Sequence, residues 1–459
     1  MSILDAAQFQ PVATGGLGHP GSTLAHSMAW FRDALYLGTS SPSTRGPEDL
    51  GRIHRLDPAT GEWAEVFAAP VLPLDDIAQA RAAWLGSGGG GGMRRQHATA
   101  GAMGEHFGIR SMTVFQGASD AAPCLYAGTM SIWGGQVLRS EDGTTFAPVM
   151  APGNGDDTVM SFRGLTVFGG RLFASPAGTI TEERIDRNLA PQAVVLVSDD
   201  PASGIWTEAC IPGFGDPVNR GVFSLGSAHG HVYAGTGSPA RGFQLWRTRA
   251  EGDAPYAWER VLTDGAFRFN HNLSTAAMAE FGGDLYIGSG IPGFGYDVDN
   301  DVGPCACELI RVRQGGSWDL IFGEPRFTPD GLKIPLAAMG PGLGDPYNSV
   351  IWSMGVHDGV LYIGTHNWEP NDIAMNGGGA PLRGGYQLWG STDGEAWVPV
   401  LIDGNGSVTS TGVRTLLSTP VGFFLGTSNH TKLLQTQARL RGGGEDLAEV
   451  SAGFDVWLA

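Results

Sequence analysis

A short run of apolar and small residues recurs seven times along the chain. Five of the runs read Leu or Val, then Tyr, an apolar residue, Gly and Thr or Ser. The seven runs occupy residues 35–39, 125–129, 172–176, 232–236, 285–289, 361–365 and 423–427. Runs of this length with β-formers and a small terminal residue are typical of buried strands, and helical periods are missing around them. The chain is therefore predicted to be built from a repeated, strand-rich unit.

Each repeat contains the elements of a four-stranded antiparallel sheet. An apolar strand precedes the recurrent run, and a third strand follows it, beginning at Gly51, Gly135, Ala193, Gly242, Cys307, Gly385 and Gly453. A turn with Asp-Gly precedes the fourth strand at Asp142 and Asp393, and suits the positive φ of a tight hairpin. The aromatic residue after it, Phe146 or Trp397, is expected to pack between sheets.

Seven such units predict an all-β fold, a single seven-bladed β-propeller with four-stranded antiparallel blades over residues 1–459. The blades are expected at about 14–69, 109–150, 160–210, 218–264, 270–322, 348–402 and 412–459. The last blade lacks its fourth strand, and residues 1–13 resemble the missing piece. Residues 8–13 are therefore predicted to complete this blade, which removes an exposed sheet edge.

Two groups of motifs resemble known propeller repeats. The turns of blades two and six resemble the Asp-box repeat of sialidase-like propellers, although their spacing departs from it by one residue. Those turns carry Ser140, Asp142, Gly143 and Phe146, and Ser391, Asp393, Gly394 and Trp397. Residues 168–173 and 281–286 resemble the Gly-Gly-x-Leu-Tyr element of kelch propellers. Both resemblances imply a fold and no functional residues, because Asp-box turns lie at the periphery.

Composition and net charge limit the classes of molecule that this protein is expected to bind. The chain has 459 residues with 72 glycines and 42% hydrophobic residues, so the glycines are assigned to turns of a globular fold. A net charge of −18 disfavours nucleic-acid and anionic-membrane binding. No leader-like or bilayer-spanning segment is recognised, and four cysteines are too few for a disulfide framework. A cytoplasmic location is expected.

Long connections follow the second and the fourth strands of the repeats, which emerge on one face of a propeller. This face is expected to carry function, and an oligomer interface is the alternative. The longest insertion, 70–108, contains a predicted helix at 74–85 and a glycine-rich run. It is interpreted as a lid that brings in Arg94, Arg95, His97 and His106, or else as a surface excursion.

Polar residues stand at the start of the first strand of every repeat. Aligning these starts gives His26, Arg110, Arg163, Arg220, His271, Asn348 and Arg414. The guanidinium fork fits carboxylate, sulfate or phosphate, so this ring predicts an anion pocket at the channel mouth. A network in which these arginines bind backbone carbonyls and acids is the alternative.

Further candidates follow the sixth recurrent run. His366 and Trp368 are predicted to bind substrate together with Arg110, Arg163, Arg220, Asn348 and Arg414. Glu369, His26 and His271 are the candidate catalytic residues, since a carboxylate or an imidazole close to arginines can transfer protons.

An acidic loop is the candidate metal site. Asp297, Asp299 and Asp301 alternate as in an EF-hand loop, but Gly303 is one position late and a strand follows, so a Ca²⁺ site would be built differently. Cys305 and Cys307 are a weak metal signal. No nucleotide-cofactor motif is present.

These observations predict a propeller enzyme that acts on a small or medium organic anion by hydrolysis, elimination or group transfer. The alternative is a non-catalytic scaffold that binds a protein or glycan partner through the long-loop face.

Overall fold

The computed structural model describes residues 2–41, 47–86, 101–378, 380–440, 447 and 450–459. Its contacts divide the chain into two compact units. Unit 1 consists of Met1–Ala25, Arg241–Phe243 and Thr263–Ala459, and unit 2 consists of His26–Ala240 and Gln244–Leu262. Both units are mostly β.

Unit 2 contains four groups of four antiparallel strands within its described residues, each called a sheet here, and single residue pairs such as Ser40 with Gly108 and Ser161 with Met130 join three of them. They are formed by β2 (Leu24–Phe31, in this unit from His26 onward), β3 (Ala34–Ser40), β4 (Arg52–Asp57) and β5 (Glu62–Ala68); β8 (Gly108–Phe115), β9 (Cys124–Met130), β10 (Val137–Ser140) and β11 (Ala147–Pro148); β12 (Val159–Phe168), β13 (Arg171–Ile180), β15 (Leu196–Ser198) and β16 (Thr207–Glu208); and β17 (Val222–Ala228), β18 (His231–Thr236), β19 (Leu245–Thr248) and β20 (Glu259–Leu262).

Unit 1 contains three such sheets in the part that the structure describes. They are formed by β21 (Ser274–Phe281), β22 (Asp284–Gly290), β23 (Leu309–Val312) and β24 (Trp318–Phe322); β27 (Asn348–His357), β28 (Val360–Asn367), β29 (Leu388–Ser391) and β30 (Val398–Leu401); and β31 (Ser410–Thr419), β32 (Gly422–Asn429), β33 (Val456–Leu458) and β1 (Gln10–Ala13). The N-terminal strand pairs with the C-terminal one as the sequence predicts, with Gln10 opposite Leu458.

The remaining strands are short, and helices are few. The extra strands are β6 (Val71–Pro73) with β7 (Ala102–Gly104), β14 (Ile185–Asp186) on the end of β13, and β25 (Arg326–Thr328) with β26 (Gly331–Lys333). The helices are α1 (Asp76–Gly86), α2 (Asp264–Phe267), α3 (Glu369–Asn376) and α4 (Thr431–Leu440). Single 3-10 turns lie at Ala6–Gln8, Gly15–Gly18, Pro152–Asn154, Pro201–Ser203, Pro212–Gly215, Phe269–Asn272, Pro341–Gly344 and Asp403–Gly406.

The hydrophobic core lies between the faces of successive sheets. In unit 2, Tyr36 and Ile53 of one sheet pack with Leu125 and Leu138 of the next. Such side chains alternate with small or polar ones along each strand, because successive residues of a strand point to opposite faces. All seven predicted runs lie in the second strand of a sheet, where they fill this core.

The Asp-Gly turns have the local geometry that the sequence predicts. Asp393 accepts hydrogen bonds from the backbone N–H groups of Glu395 and Ala396, and Ser391 accepts one from Gly394. Gly394 has a φ of +77° and touches the Tyr286 hydroxyl of the preceding sheet so closely that no Cβ fits. Trp397 packs edge-on to Phe322 of that sheet, as expected for the aromatic residue after the turn.

The predicted helix of the 70–108 insertion is present as α1. Its Arg81 binds the Ile132 carbonyl and Asp157, so that α1 rests on the core of unit 2. Residues 87–100, with Arg94, Arg95, His97 and most of the glycine run, lie outside the described residues. Among the helices that are described, none combines the length and the apolarity needed to span a membrane.

Candidate functional site

Near its start, the first strand of a sheet contains a β-bulge. The bulge determines which side chain of that strand is left without a paired residue. The pairing with the second strand skips one residue, for example between Ile109 and Ser111, opposite Thr129 and Gly128. The residues skipped at this position are Arg110, Arg163, Phe223, Ala276, Trp352 and Arg414. In β27 and β31, the pairing skips a further residue at the strand start, Ser349 and Thr411. A bulge leaves the extra residue unpaired and re-aims its side chain.

This register corrects the alignment made from the sequence. Arg110, Arg163 and Arg414 stand at the bulge, but Arg220, His271 and Asn348 do not. They precede the bulge residue of their strands by three to five positions. The connections that enter β17 and β27 contain the same kind of 3-10 turn as those that enter β12 and β31, so Arg220 and Asn348 stand at earlier positions of equivalent connections. His271 lies in an additional 3-10 turn, Phe269–Asn272.

In unit 1, the side chain of Arg414 lies against the indole of Trp352, the bulge residue of the neighbouring sheet. The guanidinium carbon is 5.2 Å from the ring centroid. The indole lies on the backbone of β31, where a Cβ on Gly412 would be 2.5 Å from two of its ring atoms. A glycine at this position therefore allows the close approach that places Trp352 beside Arg414.

Arg414 is a cation held without a counter-ion among the described residues. Its Nε atom is fully buried and has no hydrogen-bond partner. Its two Nη atoms make no hydrogen bond with described residues either, but they do not belong to the fully buried atoms, so they face accessible space. Burial lowers the pKa of Arg414 to about 10, which leaves it charged at neutral pH.

Two buried histidines adjoin this arginine and tryptophan. The His366 ring is 4.7 Å from the Trp352 ring and 5.7 Å from the His430 ring, measured between centroids. Burial, and then the neighbouring His430, lower the pKa of His366 to about 3. Burial lowers the pKa of His430 to about 4. Both imidazoles are therefore neutral at pH 7.

Hydroxyl groups orient the two imidazoles. His366 Nδ1 lies 3.1 Å from Ser349 Oγ, while its Nε2 is buried and has no partner. His430 Nδ1 lies 2.9 Å from Thr411 Oγ1 and its Nε2 3.4 Å from Ser428 Oγ. An unpartnered buried nitrogen is costly, and it leaves His366 with an unused polar atom.

Helices α3 and α4 begin shortly after His366 and His430, respectively. Trp368 and His430 precede α3 and α4, and the helices pack together through Ala374 and Leu434. The Trp368 ring contacts Tyr347 at 4.9 Å between centroids, and its Nε1 is buried without a partner. The predicted binding residues His366 and Trp368 thus lie just before α3, which packs against α4.

Three other predicted site residues lie in unit 1. Asn348 and Glu369 bind other residues of the protein, and His271 is exposed. Asn348 is fully buried and donates to the Gly342 carbonyl and to Gln387, while it accepts from Asn367. Glu369, the first residue of α3, accepts from Arg383 at 2.7 Å. His271 is exposed in a 3-10 turn.

Asn348 belongs to a network that recurs in unit 2. Asn219 likewise donates to the Gly213 carbonyl and to Gln244, and Gln244 donates to Asp216. The same chemistry at equivalent connections indicates a structural role. The sequence signal was a repeated Gly-x-Gly-Asp-Pro-x-Asn motif, ending at Asn219 and at Asn348.

In unit 2, three predicted arginines converge on the segment 187–190. Arg110 and Arg163 donate to the same Asn188 side-chain oxygen, at 2.8 and 2.7 Å. Arg163 also lies 4.5 Å from the centroid of the Phe223 ring. Arg220 donates to the Ala190 carbonyl at 3.2 Å. Asn188 was not predicted, and no local motif identifies it.

The remaining predicted residues lie elsewhere. His26 is buried in unit 2, where its Nδ1 contacts Ser40 on the neighbouring strand. The predicted metal ligands Asp297, Asp299 and Asp301 lie on a mostly exposed loop of unit 1. Within the described residues, their carboxylates do not come within 4.8 Å of one another as a group.

Comparison with known proteins assigns no family. No family model and no curated protein matches the sequence. Solved structures match at low similarity, such as the polysaccharide lyase Uly1, with a TM-score of 0.48 and 12% identity over 94% of this chain and 89% of that chain.

Two further solved structures match over most of the chain. The WD40 beta propeller domain of Doa1 has a TM-score of 0.44 and 10% identity over 92% of this chain and 94% of that one. The GH74 xyloglucanase from Xanthomonas campestris has a TM-score of 0.46 and 16% identity over 92% of this chain. The chain spans about half of that xyloglucanase, 52% of its length.

Proposed function

We propose that this protein is an enzyme that binds a small or medium organic anion through Arg414 and moves a proton with His366 or His430. The observation that carries the proposal is the Arg414 guanidinium, whose Nη atoms face accessible space without a protein acceptor in the described part of the chain. Catalytic roles for His26, His271 and Glu369 stay predictions of the sequence.

A bound anion would provide the hydrogen-bond acceptor and the negative charge that Arg414 lacks among the described residues. A carboxylate, sulfate or phosphate can accept two parallel N–H bonds from a guanidinium. The indole of Trp352 restricts the guanidinium on one side, so that less side-chain freedom is lost when the anion binds. An ion pair that forms in a half-buried place is also screened less than one on the surface.

The histidines suit proton transfer once an anion is present. A neutral imidazole can accept a proton, and a negative charge nearby raises its pKa toward neutrality. The low pKa values of His366 and His430 would therefore rise on binding. Hydrolysis, elimination and group transfer all require such a step, so the proposal covers these three reaction classes.

For the architecture, we propose that the seven described sheets are the blades of one propeller. The repeated order of four strands and the pairing of β1 with β33 support this arrangement. In such a ring, the starts of the first strands surround the channel, which is where enzymes of this architecture have room for a substrate.

A ligand screen with two variants tests the function. Thermal unfolding is measured with millimolar carboxylates, sulfates and phosphates at constant ionic strength, for the wild type, Arg414→Ala and Arg313→Ala. Arg313 is the matched control, since it is an exposed arginine of the same unit that pairs with Asp284 and Asp319. The wild type and the control should be stabilised by at least one ligand, and Arg414→Ala should lose most of that effect.

The outcomes separate the two candidate functions. Ligands that stabilise the wild type are then incubated with it, and products are sought by mass spectrometry, with His366→Gln and His430→Gln as tests of proton transfer. Turnover that either substitution lowers at least a hundredfold supports the enzyme. Binding without turnover favours a scaffold, and equal responses of Arg414→Ala and the wild type to every anion contradict the proposed site.

A further inference from the structure

A hairpin of unit 1 presents apolar side chains to solvent. Strands β25 and β26 form this hairpin in the long connection that follows β24, and Phe327 stands directly opposite Leu332. Two residues that are directly opposite in an antiparallel pair have their side chains on the same face. Phe327 is 84% exposed and Leu332 is 55% exposed, so this face of the hairpin is apolar and open to solvent.

The residues that follow the hairpin add further exposed apolar side chains. Ile334 and Leu336 are 57% and 44% exposed. Lys333, Pro335 and Ala337 alternate with them and are half-buried, and Ala337 packs against the core of unit 1. The solvent side of such a segment is usually polar. The packing of unit 1 therefore does not explain why apolar residues stand at the exposed positions.

Several contacts fix the hairpin to the sheet that precedes it. The two Nη atoms of Arg326 donate to the two carboxylate oxygens of the fully buried Glu308, at 3.0 and 2.9 Å. Lys333 Nζ donates to the Trp318 carbonyl at 2.6 Å and lies 4.6 Å from the centroid of the indole. A surface that is already held in place loses little conformational entropy when a partner binds to it.

The exposed apolar area is large enough for an interface. We call the surface formed by Phe327, Leu332, Ile334 and Leu336 the hairpin surface. At roughly 200 Å² for a large apolar side chain, the exposed fractions of these residues leave about 480 Å² open to solvent. Exposed apolar patches of this order often mark interaction sites. Two copies joined here would bury about 1,000 Å² of apolar side chain, and neighbouring residues would bring the contact towards the roughly 1,200–2,000 Å² of a stable interface.

The charge of the protein limits what can cover this surface. A net charge of −18 makes two copies repel each other through most of their surface. Between Phe327 and Leu336, however, Asp330 is the only acid and Lys333 is the only base. Two hairpin surfaces therefore meet without net repulsion, whereas a basic protein or an anionic lipid surface finds no excess of opposite charge there.

We infer that the hairpin surface binds the hairpin surface of a second copy of this chain. A contact between two identical surfaces is isologous and closes a dimer with two-fold symmetry. An apolar surface without net charge suits such a contact, because it is complementary to itself. Pro329 and Pro335 lack the N–H group that strand addition needs, so the contact is face to face and not edge to edge. The inference does not depend on the Arg414 site.

Sedimentation velocity over a range of protein concentrations tests the dimer. The wild type is compared with the double variant Phe327→Thr, Leu332→Thr, because threonine keeps the strand propensity and removes the large apolar side chain. The matched control is Val398→Thr, since Val398 is 49% exposed in β30, a strand of another sheet of unit 1. The wild type and the control should form dimers with the same dissociation constant, and the double variant should raise that constant at least tenfold.

Cross-linking keeps the test decisive if the double variant folds poorly. The four native cysteines are buried, so Leu332→Cys and the control Val398→Cys each add one accessible thiol. A short bismaleimide should link two copies of Leu332→Cys and leave Val398→Cys largely monomeric.

Four results would overturn the inference. The wild type could stay monomeric at the highest concentration, the double variant could dimerise like the wild type, or Val398→Cys could cross-link as readily as Leu332→Cys. The fourth result is a monomeric wild type that binds neutral phosphatidylcholine vesicles through the hairpin surface, with the binding lost in the double variant. That result would assign the surface to a membrane instead of a second copy.

Discussion

Replacing Arg414 by methionine should increase the free energy of unfolding of the ligand-free protein. The guanidinium is a partly buried cation that lies against the Trp352 ring, with no acceptor among the described residues. Methionine keeps much of the unbranched side chain that packs there and removes the charge. A buried charge without a partner is destabilising, so its removal should stabilise the fold.

The magnitude follows from the burial of the charge. Burial lowers the pKa of Arg414 from its ordinary value to about 10. At 1.36 kcal/mol for each pKa unit, this corresponds to about 3 kcal/mol of cost to the charged form. The contact with the indole offsets roughly 0.5–2 kcal/mol of it. The variant should therefore gain about 1–3 kcal/mol.

Urea unfolding followed by tryptophan fluorescence measures the change, with Arg139→Met as the control. Arg139 binds the fully buried Asp120 carboxylate, so its loss leaves an unpaired buried charge. That control should lose about 3–5 kcal/mol. A loss of stability in Arg414→Met similar to that of the control would refute the reasoning, because Arg414 would then be a structural residue.

Two further predictions concern acid stability and turn packing. His430 has a pKa of about 4 when folded and about 6.5 when unfolded, so the unfolded chain binds more protons between these values and stability falls as the pH drops. The loss should be about 2 kcal/mol at pH 5, and urea titrations at pH 7 and pH 5 should show a weaker dependence in His430→Gln. Gly394→Ala would push a Cβ into the Tyr286 hydroxyl at positive φ and should cost more than about 2 kcal/mol. Gly406→Ala, with a φ of +84° and open space, should cost only about 1 kcal/mol, and equal costs would contradict the packing argument.

The strands were predictable because their signals are local. The recurrent runs alternate apolar and small residues, and the structure places each of them in the second strand of a sheet. The Asp-Gly turns at Asp142 and Asp393 were predictable for the same reason, since their hydrogen bonds join residues within the turn. The pairing of β1 with β33 was predictable from a likeness between two sequence segments.

The candidate site was predictable only in part. Arg110, Arg163 and Arg414 lie at the bulge, a feature that the sequence analysis did not predict. Asn348 is the first residue of β27 as predicted, but Asn348 and Arg220 precede the bulge residues of their strands, and a bulge depends on the pairing between two strands. The small residue opposite the glycine of each run, such as Ser353 opposite Gly364, would have marked the correct register.

The sequence by itself determined the repeated four-stranded units, their turns and the order of strands along the chain. These features depend on backbone preferences and on the period of two, which act over a few neighbouring residues. Only the tertiary structure decided that Trp352 lies beside Arg414 and that Arg110 and Arg163 share Asn188. Those groups are more than 20 residues apart, and they meet because bulges, close glycine contacts and the packing of neighbouring sheets direct their side chains.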